Sequence, residues 1–319
     1  MPVITVDFGG TNIKLGIIEG DTLLSYRKIP AESYNGIRPQ LDRVKNEILG
    51  MKKETALKDN ALTALGLAFP GIVDPHKKKV LSTNKKYDDA VNVDFPVWSR
   101  ESFGLPLVLE SDTNSAILGE TVYGCARGVS DAALMSFGTG IGTAAIIGGK
   151  LLRGKHYQAG CLGGHISINL DGPICTCGNK GCIEAHAGTW SLPAMAKARE
   201  GFEKSLLGKS DTVDYKSISE CVANGDIFSR DFFDYLLTCA GAGIVNLIHA
   251  YDPEMVILSG GLMKDSDIVM PRISQYIKQY AWTPWGDVEL RAAAKPDISV
   301  LLGLSSLCLK LNGSALDEI

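Results

Sequence analysis

Short apolar runs interrupted by glycine recur along this chain. Val3-Ile4-Thr5-Val6-Asp7-Phe8 is rich in β-branched residues, Gly9-Gly10 interrupts it, and a second run extends from Ile13 to Ile18. Ala132 to Phe137, Gly138-Thr139-Gly140 and Thr143 to Ile147 repeat the arrangement. Each predicts a strand, a glycine turn and a returning strand, a hairpin whose tip exposes backbone N–H groups. Ordinary hairpins use the same turns. Two such tips facing one another across a cleft can both donate to the phosphates of a nucleotide.

Elsewhere strands alternate with helices. Leu62 to Phe69 and Leu105 to Leu109 read as buried strands, and Arg38 to Lys52 and Asn114 to Tyr123 as helices, an α/β pattern. Ala240 to Ala250 predicts an apolar helix, followed by the strand Met255 to Leu258 and the turn Ser259-Gly260-Gly261. A strand entering Gly-Gly before a helix favours phosphate or nucleotide, although a plain connection has the same composition. Leu301 to Leu309 predicts a last helix packed back on the N-terminal domain.

A length of 319 residues implies two domains, expected at 1–112 with the terminal segment 301–319, and at 113–300. The net charge of −4, with both signs interspersed, offers no field for nucleic acid or an anionic membrane and leaves small molecules as the expected partners. The start of the chain lacks the pattern of a signal peptide, and no run of about 20 apolar residues is evident, so a cytoplasmic protein is expected. There the eight cysteines would be reduced, and a cluster of them points to metal.

Such a cluster is present. Cys175, Cys177 and Cys182 fall within eight residues, ten positions after His165, and supply the ligands of a closed Cys3His zinc site. Free thiols beside an unrelated histidine are the alternative. Asp112 follows the strand Leu105 to Leu109 at the start of a helix. A general base is expected at such a strand end, while the local sequence by itself favours a helix cap, and one aspartate can serve as both.

Together these segments resemble the ROK family of sugar kinases and related repressors. Asp7-Phe8-Gly9-Gly10-Thr11-Asn12 is similar to its first phosphate motif and Ser136-Phe137-Gly138-Thr139-Gly140-Ile141-Gly142 to its second. Ser111-Asp112-Thr113-Asn114 through Glu120 resembles its catalytic segment. Cys175-x-Cys177-Gly178-x-x-Gly181-Cys182-x-Glu184 with Gly164-His165 resembles its zinc signature, and Asp252-Pro253-Glu254 through Gly260-Gly261 its adenosine motif.

The resemblance implies a duplicated actin-like ATPase (RNase H-like) fold, two domains around an interdomain cleft, and ATP-dependent phosphorylation of a sugar hydroxyl, by family default at position 6. It implies that Gly9, Gly10, Gly138 and Gly140 cradle the phosphates with Thr11 and Thr139, that Asp7 positions Mg2+, and that Asp112 is the base. Asn12, Gly260 and Gly261 belong to the same nucleotide motifs. Gly71, Asn84, Ser111, His165 and Glu184 would face the sugar, with Zn2+ on His165, Cys175, Cys177 and Cys182. Loss of zinc is then expected to weaken sugar binding more than nucleotide binding. Family members are often dimers or tetramers. ROK repressors carry an additional N-terminal DNA-binding domain, for which a phosphate motif within ten residues of Met1 leaves no room.

The sugar side departs from the family. Where the family has Glu three residues before the zinc histidine, this chain has Leu162, and no acidic residue lies between Lys150 and Asn169. Ser111 replaces Asn before the catalytic Asp, and Asn84-Lys85-Lys86-Tyr87 replaces Asn-Leu-x-x-Trp. A sugar other than plain glucose is therefore expected, or else a catalytically weak sugar-binding protein.

Overall fold

The computed structural model describes residues 1–55, 57, 61–83 and 85–311. The chain forms two compact units. The first comprises Met1–Gly128, Gly149–Ala159 and Ala294–Ile319, and the second Val129–Gly148 and Gly160–Ala293. The helix that begins at Asp112 therefore stays with the first unit, and the boundary lies later than residue 112.

In the first unit β1 (Pro2–Phe8), β2 (Asn12–Glu19) and β3 (Thr22–Pro30) form an antiparallel meander, followed by α1 (Arg38–Glu54). Next come β4 (Leu65–Phe69), the small ribbon of β5 (Ile72–Asp74) and β6 (Lys79–Ser82), α2 (Phe95–Phe103), β7 (Leu107–Ser111) and α3 (Asp112–Tyr123). The sheet order is β3-β2-β1-β4-β7, with β4 parallel to both β1 and β7. Every residue of β1 is buried, Thr5 and Asp7 included, as in a strand covered on both faces.

One core of this unit is built around Phe8, Phe69, Tyr87 and Phe95; the Phe8 and Phe69 rings stack 4.6 Å apart. Another joins Val3, Ile18 and Ala64 to Leu301, Leu302 and Cys308 of the C-terminal helix (Ser299–Leu311). That helix crosses α3 at bare glycines: a Cβ on Gly303 would lie 1.8 Å from the Ser115 carbonyl oxygen, and one on Gly119 would lie 2.0 Å from that of Ser299. Glu120 of α3 accepts hydrogen bonds from the Ala294 N–H at 3.0 Å and from the Ser299 hydroxyl, which ties down the start of the C-terminal helix.

In the second unit β8 (Ala132–Phe137) and β9 (Ile141–Ile147) form an antiparallel hairpin. The strand Met255–Gly260 lies parallel to β8 on its other side and is followed outward by Glu289–Ala292. A hairpin strand, the first strand and two parallel strands thus stand in the same order as β2-β1-β4-β7. The fold is the duplicated actin-like ATPase arrangement, and its echo in the sequence is the pair of glycine hairpins.

Helix Ile227–Tyr251 fills the core of this unit, placing Phe232, Leu236, Ile244 and Leu247 among Met135, Phe137 and Val256. By length and composition it could cross a membrane, but 61% of its most apolar window is buried in the unit, as in a core helix. Its first half is interspersed with Asp231 and Asp234, so the sequence pattern predicts only its small-residue end.

Candidate active site

Asp7 and Asp112 stand at the carboxyl ends of β1 and β7, which flank β4. Ligands of open α/β sheets gather at such ends. Burial pushes the Asp7 carboxyl up to about 7, opposed by the Lys14 ammonium and reinforced by the charge of Asp112. Burial likewise raises Asp112, against the pull of the Thr113 N–H, 2.8 Å from Oδ1, and of the Lys86 ammonium. Both carboxyls thus hold their protons above the ordinary carboxylate range.

This geometry has a thermodynamic consequence. Asp7 holds its proton more tightly in the folded chain than at the ordinary value of 3.8, so ionising it costs stability. The cost begins above that value and is complete once pH passes about 7. In protein stripped of divalent cations, Asp7→Asn should flatten the fall in melting temperature between about pH 4 and 7. An undiminished fall in the variant would assign it to other groups.

Asp112 is the first residue of α3, and the cap is Ser111, whose hydroxyl accepts from the Asn114 N–H at 3.4 Å. Ser111 thus has a local structural task, and the Asp112 carboxylate is released from capping. Glu110, which the sequence reading overlooks, braces the same turn. Its Oε1 accepts from the Ser111 N–H at 2.9 Å and from Asn114 Nδ2 at 3.0 Å, while Arg153 lies 2.5 Å from Oε2. The alternation of a strand gives no sign that an inward-facing position carries a charge, because its partner lies 43 residues away.

The first glycine turn is tied from behind. The Tyr87 hydroxyl donates to the Gly9 carbonyl at 2.9 Å, Ser33 Oγ to that of Gly10 at 2.9 Å, and the Ala31 N–H to that of Thr11 at 3.0 Å. With its carbonyls engaged, the turn leaves Thr11 exposed at the tip and Asn12 at the start of β2. Gly71 follows β4 with φ of 142°, and a Cβ there would lie 2.3 Å from the Ser82 carbonyl oxygen. Backbone crowding alone requires that glycine. Asn84 lies outside the described residues.

In the second unit the turn Gly138–Gly140 is closed by the Gly138 N–H on the Gly140 carbonyl at 2.9 Å, and the Trp190 N–H holds the Thr139 carbonyl at 3.0 Å. Gly260, with φ of 92°, abuts Phe137, the residue that leads into this turn: a Cβ there would meet the Phe137 carbonyl oxygen at 2.2 Å, with Gly261 alongside. The second phosphate turn and the Gly260-Gly261 turn are thus neighbours.

Glu184, which the resemblance assigns to the sugar, is held in place by protein partners. Its Oε2 accepts from the Ile141 N–H at 2.9 Å and its Oε1 from Trp190 Nε1 at 3.2 Å and Thr176 Oγ1 at 3.4 Å. A Cβ on Gly140 would lie 2.4 Å from Oε2. This buried carboxylate is a strut between the cysteine loop and the phosphate turn. Motif spacing could not show this, because the partners lie on three separate segments.

The ligand atoms of His165, Cys175, Cys177 and Cys182 all lie within 4.8 Å of one another. The Cys177 and Cys182 sulfurs are 3.8 Å apart, and Cys175 Sγ is 3.5 Å from His165 Nδ1. A tetrahedral zinc with Zn–S of about 2.3 Å sets its sulfurs about 3.8 Å apart, so the four donors fit such an ion. Nδ1 faces the sulfurs and Nε2 is left for another partner. The loop before His165 hangs on Thr143, which donates to the Gly160 carbonyl at 2.6 Å and accepts from the Gly163 N–H at 2.8 Å. Leu162 on that loop is 37% exposed, available to a ligand.

A glucokinase of Streptomyces coelicolor is 31% identical to this chain over 306 residues, covering 89% of the chain and 91% of the relative. A xylose repressor of Bacillus spizizenii is 28% identical over 250 residues, covering 78% of this chain and 62% of the repressor. The crystal structure of a ROK family glucokinase from Streptomyces griseus, in complex with glucose and AMPPNP, superposes with a TM-score of 0.81 at 28% identity, covering 97% of this chain and all of that one. The ROK family model matches residues 3–310, and this chain, with its duplicated sheet, glycine turns and Cys3His cluster, belongs to the ROK family.

Proposed function

We propose that this chain is an ATP-dependent sugar kinase that phosphorylates a hydroxyl of a hexose or hexose derivative, at position 6, with Asp112 as general base. The observation that carries this reading is the placement of Asp112: a half-buried carboxylate at a strand end, freed from capping by Ser111, beside Asp7 in the unit that bears the first glycine turn. The likeness to glucokinases, one of them bound to glucose and AMPPNP, supports the nucleotide and the substrate class.

Phosphoryl transfer depends mainly on positioning and charge neutralisation. The N–H groups of Gly9 to Thr11 and of Gly138 to Gly140 would hold the phosphates, Gly260 and Gly261 would support the adenosine, and Asp112 would accept the proton of the attacking hydroxyl. Magnesium supplies countercharge to the nucleotide when bound, and Asp7 is the side chain that would hold it. His165 Nε2 would meet a sugar hydroxyl. Zinc would be structural, because four protein ligands leave no open position.

Since Glu184 joins the cysteine loop to the second phosphate turn, stripping zinc should raise KM for ATP as well as for the sugar. An ATP KM that stays fixed while zinc is lost, measured with metal analysis in parallel, would show the turn to be independent of the loop.

Leu162 in place of the family's Glu favours a sugar other than plain glucose. A hydrogen bond to a charged group contributes about 1.5–3 kcal/mol, so its loss weakens an ordinary hexose by one to two orders of magnitude. The same residue, with the repressor likeness, supports a second reading as a weakly active sugar-binding regulator. A coupled ADP-release assay across aldoses, ketoses and acetamido sugars separates the two. Sugar-dependent turnover supports the kinase, and its absence across the panel supports the binder.

A further inference from the structure

The segment Lys85-Lys86-Tyr87, in sequence a run of solvated lysines, folds against the first glycine turn. Tyr87 is 1% exposed, its ring lies 5.7 Å from that of Phe8, and its hydroxyl grips the Gly9 carbonyl. Lys85 and Tyr87 adopt φ of 60° and 55°, a left-handed backbone that residues with such side chains rarely take. Lys86 lies between them, pinned to the turn by its neighbour. A Cβ on Gly10 would lie 2.7 Å from Lys86 Nζ and 2.8 Å from its Cε, so the ammonium group rests on the bare face of that glycine. The same ammonium acts electrostatically on Asp112. One cation therefore rests on the turn that would hold phosphate and lies within the electrostatic range of the carboxylate that would deprotonate the attacking hydroxyl. In an in-line transfer, the phosphoryl group in flight occupies the space between those two.

We propose that Lys86 is a further catalytic residue, contacting the phosphoryl group during transfer and neutralising charge on its oxygens. The inference rests on the kinase reading above and deepens it. Charge spreads over three equatorial oxygens in such a transition state, and a positioned cation stabilises it more than the ground state. Lysine serves as a point charge here, so arginine should replace it only in part.

The test uses the full chain with its best sugar from the panel, comparing Lys86→Met, which keeps the aliphatic stem over Gly10, with Lys86→Arg, which keeps the charge. Lys86→Met should lower kcat about 10²-fold, the loss seen when one preorganised charge-stabilising donor is removed, with the sugar KM little changed. Lys86→Arg should recover part of it. Binding separates contact from packing: Lys86→Met should weaken AMPPNP more than ADP, because only the former carries the third phosphoryl group. If the unmodified chain shows no sugar-dependent ADP release, the kinase reading fails. If it is active and Lys86→Met matches it in kcat and in its preference for AMPPNP over ADP, this inference alone fails. Equal weakening of AMPPNP and ADP at unchanged kcat also overturns it, since Lys86 would then only pack on Gly10.

Discussion

Asp112→Asn should give a folded protein whose kcat is lower by at least about 10²-fold, within the 10²–10⁴-fold that a positioned general base supplies. The amide keeps the shape of the side chain and can still accept from the Thr113 N–H, so the start of α3 should persist. What disappears is the acceptor for the proton of the attacking hydroxyl. Residual turnover would come from phosphate gripping and countercharge, which do not pass through this residue. The pH profile gives a second signature. Burial, the largest influence on Asp112, places its proton affinity above the ordinary carboxylate value of 3.8 despite the Thr113 N–H and Lys86. The acid limb of kcat/KM should therefore lie above that value, with activity lost as pH falls through it, and should vanish in the asparagine variant. Wild-type turnover by the folded variant would mean that another group takes the proton.

The other large effect is on stability. The Glu110 side chain is 2% exposed, and Arg153 is its ionic partner, paired by charge 2.5 Å away. Arg153→Met leaves a buried carboxylate without its counterion, a change that typically costs about 3–5 kcal/mol. Because Arg153 is itself partly open to water, the lower end of that range is expected. Because Glu110 also holds the Ser111 N–H and Asn114 Nδ2, kcat should fall in the same variant. Pairing it with Glu110→Gln, which removes the stranded charge and keeps an acceptor for those donors, should restore most of the loss. Denaturant titration of the parent and these two variants is the measurement, and an Arg153→Met variant as stable as the parent would mean that the pair contributes nothing.

Both hairpins were legible in the sequence because two signals coincide there, β-branched runs and glycines that only a tight turn explains. The buried strands β4 and β7 were legible as short apolar runs, without that second signal. The edge strand Thr22–Pro30 was not, since it alternates half-exposed with exposed positions and carries Arg27 and Lys28. The four zinc donors could be read from spacing because a small loop can close on one ion only if its ligands are near in sequence. The roles of Glu110, Glu184 and Lys86 could not, because each is defined by contact with a segment distant along the chain. In the family pattern Glu184 belongs to the sugar; its tertiary partners are a phosphate turn and an indole. At Asp112 local pattern alone favours a cap, and the hydroxyl of the preceding serine, seen in place, takes that task instead.

The two sheets repeat one another in backbone and not in electrostatic character. At the step before the turn the first hairpin carries Asp7-Phe8 and the second Ser136-Phe137, a carboxylate in one copy and a hydroxyl in the other. A polyphosphate approaching the first loop without its counterion meets like charge. The second loop carries no carboxylate at that step, and the Glu184 carboxylate beside it is occupied by the Ile141 N–H and the Trp190 indole. On the proposed reading the two copies are therefore not equivalent, because the first alone carries, in Asp7, a side chain that would hold the nucleotide's metal ion.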